Sequence, residues 1–134
     1  VYKILLAEDN PGDVLLLREA LLDSAINVDL RIAEDGQKAV NMLELIAADT
    51  AWRPDLIILD VNLPKRTGGE ILAHVRADPT FSEVPVLMLT SSASPADQAT
   101  ASRLGANLYV QKPSELDAFL ALGKVIHTIL TRHQ

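Results

Sequence analysis

The chain has 134 residues, 49% of them hydrophobic and 22% charged, with a net charge of −6 and no cysteine. That length holds one domain with a sizeable core, and the hydrophobic share excludes a disordered chain. An acidic surface repels a phosphate backbone, so nucleic-acid binding is not expected, and disulfide and thiol chemistry are excluded. No apolar run nears the roughly 18–20 residues of a membrane span, and the start lacks a secretory apolar region, so a cytoplasmic protein is expected.

Ile4-Leu5-Leu6-Ala7 reads as a buried strand closed by Glu8-Asp9-Asn10-Pro11-Gly12, and Val14 to Leu22 as the first helix. Val28 to Ala33 is a second strand, Leu30 and Ile32 alternating with Asp29 and Arg31. Asp35-Gly36 opens a helix through Val40, Leu43 and Ile46, and Ala47 to Arg53 forms a longer surface connection in which Trp52 is a packing anchor. Leu56 to Asp60 is the third strand; Glu70 to Ala77 is a helix that Asp78-Pro79 ends.

Val86 to Thr90 is the fourth strand. Ser94 and Pro95 suit the N-cap and first position of a fourth helix, and Gly105 suits its left-handed C-terminal cap. Leu108 to Val110 is a fifth strand, and a long last helix runs from Ser114-Glu115 towards Arg132. Along it Leu116, Phe119, Leu120, Ile126 and Leu130 make a core stripe, and Leu122, Val125 and Ile129 a second apolar line. Two readings of that second line stand open: a homodimer interface or a wide core face.

Five strands alternating with five helices predict an open, doubly wound α/β domain with a parallel sheet, one domain over residues 1–134 without an effector domain. In such sheets ligands bind beyond the carboxyl ends of the strands, where strand order reverses. Asp60 ends strand three, and Glu8 and Asp9 follow strand one. If these strands are neighbours, three carboxylates crowd one crevice, a site suited to magnesium and a phosphoryl group. His74, His127 and His133 have no metal-ligand spacing and are read as surface helix residues.

The segments LLAEDNPGD (5–13), RPDLIILDVNLP (53–64), VPVLMLTSS (84–92) and LGANLYVQKP (104–113) together resemble the response-regulator receiver domains of two-component signalling, over nearly the whole chain. The stretch from Ala48 to Lys65 is most similar to stand-alone regulators associated with phytochromes. The resemblance implies a flavodoxin-like sheet of order 2-1-3-4-5. It implies Asp60 as phosphoacceptor for a sensor histidine kinase, with Mg2+ held by Asp9, by Asp60, by Glu8 through a water, and by the main-chain carbonyl of Asn62. It further implies that Thr90 and Ser91 bind the phosphoryl oxygens, that Lys112 pairs with the phosphate after a cis bond to Pro113, and that Tyr109 turns inwards when Thr90 moves. The surface of helix four, strand five and helix five then switches, with a homodimer as one partner.

Two positions depart from the family pattern: Glu8 stands where many receivers carry aspartate, and Thr67 precedes Gly68-Gly69 where Asp-Gly is more usual, implying a looser loop. Asn62 occupies the place of the second acid that a phosphohydrolase of the haloacid dehalogenase type needs, which disfavours that reading.

Overall fold

Successive strand side chains point to opposite faces, and the two central strands are aliphatic on both. The computed structural model describes residues 1–49, 51–91 and 94–132. In it, β1 (Tyr2–Ala7) and β3 (Leu56–Asp60) lie inside a parallel sheet with β2 (Val28–Ala33), β4 (Val86–Thr90) and β5 (Leu108–Gln111), in the order β2-β1-β3-β4-β5. Leu5, Ile57, Leu59, Val86 and Met88 face one core with α2 (Gly36–Ala48), α3 (Gly68–Ala77) and α4 (Pro95–Leu104). Ile4, Leu6, Leu56, Ile58, Leu87 and Leu89 face the other, with α1 (Pro11–Asp23), α5 (Leu116–Leu120) and α6 (Leu122–Arg132). Both faces are covered by helices, which suits the continuous aliphatic runs of a parallel sheet.

The edges behave differently. In β2, Leu30 and Ile32 pack inwards while Asp29 and Arg31 are exposed. Trp52 lies across those two: its indole N–H donates to Asp29 at 2.8 Å, and the Arg31 guanidinium stands 4.3 Å from the ring centroid. At the opposite edge β5 is only half-buried.

The first helix starts earlier than the sequence suggests. Asn10 is its N-cap, accepting from the amides of Gly12 and Asp13, with Pro11 at the first helical position. Proline there costs no hydrogen bond, because that amide has no intrahelical partner. At α3, Thr67 and Glu70 form a reciprocal capping box, so the loop expected to be looser is fixed by two side-chain bonds.

The expected long last helix has two segments that break at Ala121. Its surfaces also need correction. Leu116 is exposed, whereas Leu122 is buried beside Phe119, Ile126 and Leu130. Ile129 packs partly on that core.

Candidate functional site

Strand register builds the site. Ala7 pairs with Leu59, so Glu8 comes level with Asp60 at the carboxyl end of the sheet. The chain leaves β1 towards β2 on one side and returns as β3 on the other, which makes this the point where strand order reverses. One carboxylate oxygen from each of Glu8, Asp9 and Asp60 lies within 4.8 Å of the others. Glu8 and Asp60 are buried; Asp9 is exposed.

Lys112 follows β5 and reaches across to this group. Its amide donates to the Thr90 carbonyl at 2.6 Å, while its ammonium lies 2.7 Å from Glu8 Oε1, 2.8 Å from Asp13 Oδ2 and 3.1 Å from Asp60 Oδ2. The bond to Pro113 is trans, as is every other peptide bond among the described residues, against the cis bond that the resemblance implied. Trans is the lower state of an X-Pro bond by about 0.5–1 kcal/mol. Here the ladder bond and three carboxylates direct the side chain.

Burial pushes the Glu8 carboxyl up to about 7, and the neighbouring Asp60 adds to this while Lys112 opposes it. Burial works against the Lys112 ammonium too, but hydrogen bonds to Asp13, Glu8 and Asp60 outweigh it and hold the lysine above its usual range. The Asp60 side chain accepts from the Asn62 amide at 3.1 Å, and the second Glu8 oxygen from the Asn10 amide at 3.2 Å.

The other expected residues lie around this cluster. Thr90 ends β4 fully buried, and Ser91 next to it is exposed. Tyr109 stands beside Met88 in the ladder; its hydroxyl is buried and has no hydrogen-bond partner among the described residues. The ring borders a cavity of about 280 Å³ under α4, shared with Val61, Thr67, Met88, Ala101 and Leu104. His127 is exposed and His74 half-buried on α3, both apart from the acids, and His133 lies outside the described residues.

Asp13 is the residue that sequence reasoning missed. Pro11-Gly12 looks like a turn, which left Asp13 outside the first helix. Reading Asn10-Pro11 as N-cap and first position puts Asp13 in the first helical turn, above the strand ends.

A doubly wound parallel domain with paired acids after β1, an aspartate ending β3 and a lysine after β5 defines the class of two-component receiver domains. Residues 4–123 match the response regulator receiver domain model, and the chain belongs to that family. It is similar to the response regulator Rcp1 of Synechocystis sp., 38% identical over 114 residues covering 84% of this chain and 78% of Rcp1. It is also similar to the phosphorylated cyanobacterial phytochrome response regulator RcpA, with a TM-score of 0.88 at 36% identity over 99% of this chain and 96% of the other. The Mn2+-bound form of Rcp1 matches with a TM-score of 0.81 at 31% identity, over 96% of this chain and 93% of that one. The response regulator MprA of Mycolicibacterium vanbaalenii is 34% identical over 119 residues, covering 89% of this chain but 47% of MprA, so this chain spans about half that regulator's length. The chain is thus a receiver domain of two-component signalling with phytochrome-linked relatives. Among the described residues, no helix is long and apolar enough to cross a membrane.

Proposed function

We propose that Asp60 is the phosphoacceptor of this receiver, taking a phosphoryl group from the phosphohistidine of a sensor histidine kinase. The observation that carries this is the meeting of Asp60 with Glu8 and Lys112 at the strand-order reversal, with the ammonium 3.1 Å from the Asp60 carboxylate. An Asp60 oxygen attacks phosphorus, the P–N bond breaks, an aspartyl phosphate forms, and the leaving imidazole keeps the electron pair. Lys112 pairs with the incoming negative charge, and the Thr90 hydroxyl and Ser91 amide donate to the phosphoryl oxygens.

The donors fit a hard divalent cation. All are oxygens, and the four carboxylates Glu8, Asp9, Asp13 and Asp60 are set against one ammonium, leaving negative charge in excess. Glu8, Asp9, Asp60 and the Asn62 carbonyl would hold Mg2+, which supplies positive charge against the equatorial phosphoryl oxygens. A groove of about 540 Å³ lined by Pro11, Val14, Leu15 and Ile32 with Glu8, Asp9 and Glu34 opens beside the acids, and Leu15 within it is exposed. That apolar approach suits a protein donor, and the Mn2+-bound and phosphorylated relatives support the same chemistry. The phytochrome-linked relatives make a phytochrome kinase the leading donor, and this reading carries a cytoplasmic location.

Phosphate drawing on Thr90 opens room for Tyr109, whose ring packs on the core but whose buried hydroxyl has no hydrogen-bond partner among the described residues to fix it. The face of α4, β5 and the last helix changes with it and seats a second copy of the chain. Beyond its own phosphorylation and dephosphorylation the domain catalyses nothing.

Intact mass after incubation with Mg2+ and acetyl phosphate tests the acceptor. We expect one phosphoryl group on the wild type, none on Asp60→Asn, and a Lys112→Ala variant that accepts phosphate without altering the α4–β5 surface. An unmodified wild type leaves a constitutive binding module instead.

A further inference from the structure

The Lys112 ammonium has three N–H donors and three carboxylate partners, Glu8 at 2.7 Å, Asp13 at 2.8 Å and Asp60 at 3.1 Å. Glu8 and Asp60 belong, with Asp9, to the oxygen cluster suited to a cation; Asp13 does not. Glu8 and Asp60 would hold a cation there and so would be drawn from Lys112, leaving two of its three donors free. The third would stay with Asp13.

Asp13 is well placed to keep it. It sits in the first turn of α1, where the helix end favours an anion, and its amide donates to the Asn10 cap at 3.3 Å. The pair is largely shielded from water, with side-chain exposures of 13% for Lys112 and 21% for Asp13, so salt screens it less than a surface pair. A phosphoryl group on Asp60 must therefore compete with a fixed carboxylate for the same single positive charge.

We propose that Asp13 is a positioning residue that holds Lys112 back towards α1, weakening its grip on the phosphoryl group and shortening the life of the aspartyl phosphate. This rests on the reading of Asp60 as acceptor. Beyond catching the phosphoryl group, Lys112 is shared between two anions, and Asp13 sets the balance. The same contact joins α1 to the end of β5 across 99 residues of sequence, so the lysine's position is coupled to the helix that borders the donor groove.

The test titrates beryllofluoride, a phosphoryl mimic, with Mg2+ and follows decay of the aspartyl phosphate by intact mass, in wild type, Asp13→Asn, Asp13→Glu, and the first two repeated in a Lys112→Ala background. Asp13→Asn should bind the mimic about threefold or more tighter and keep its phosphate longer by a similar factor. Asp13→Glu, which retains the charge, should lie nearer to wild type. In the Lys112→Ala background Asp13→Asn should change neither quantity. Wild-type protein that takes no phosphate on Asp60 sinks the acceptor reading itself. A phosphorylated wild type with an unchanged or weaker-binding Asp13→Asn, or an equal Asp13→Asn effect without the lysine, overturns the role of Asp13 alone.

Discussion

Glu8 has an ordinary carboxyl pKa of 4.5 that burial raises to about 7 in the fold, so folding favours its neutral form. That preference is fully present below pH 4.5 and is lost as pH rises through 7. In chelator, wild-type stability should therefore fall between about pH 5 and pH 8, while Glu8→Gln should show a much shallower slope in urea titrations across that range. Lys112, whose pKa is raised, stays charged throughout and does not mask the effect. A slope that Glu8→Gln leaves unchanged would assign the pH dependence elsewhere. The meeting of Glu8, Asp9 and Asp60 was legible in the sequence because each closes or follows a buried strand and register brings strand ends together, whereas Lys112 follows the half-buried β5 and was placed there by the family resemblance. Asp13 was not legible, since its position depends on Pro11 starting a helix and not a turn.

Elements show the same division. The bounds of β2, β3 and β4 follow from their apolar runs, and Ser94 and Gly105 cap α4 as their chemistry suggests. The ends of the last helix were harder, because an apolar stripe does not say which side the sheet lies on: Leu116, expected in the core stripe, is exposed, while the burial of Leu122 fits the wide core face of the two open readings. The β3–α3 connection was missed for another reason: its demand on Gly68 is a matter of tertiary contact. A Cβ there would come within 2.5 Å of the Asp60 carbonyl oxygen, 2.9 Å of the Val61 Cα and 3.0 Å of the Met88 side chain. At Gly69 it would meet nothing nearer than 3.9 Å. Gly68→Ala should thus cost about 1–3 kcal/mol by overpacking against backbone, whereas Gly69→Ala should gain about 0.4–1 kcal/mol by stiffening the unfolded chain. Urea melts of the two variants check this, and equal effects would remove the close packing under Asp60 as the cause.

For the whole molecule, a surface of 6982 Å² is open to pairing, and a stable dimer covers about 800 Å² on each partner, near a tenth of it. The open edge of the sheet offers a place for this. Leu108, exposed on β5, borders a groove of about 400 Å³ with Asn107, Val125, Thr128, Ile129 and Arg132. A two-fold interface is self-complementary, so the apolar side chains of this groove would meet the same groove on the other copy. Each copy carries −6, and the two repel at long range. Salt screens that repulsion over a Debye length of about 10 Å at 0.1 M, while apolar contact is unharmed. Sedimentation should therefore show a dimer that tightens as salt rises, that Leu108→Glu abolishes, and that Leu22→Glu, on the exposed side of α1, leaves intact. A wild type that stays monomeric across concentration and salt, with and without beryllofluoride, assigns Val125 and Ile129 to a broad core face, the other reading of that second apolar line.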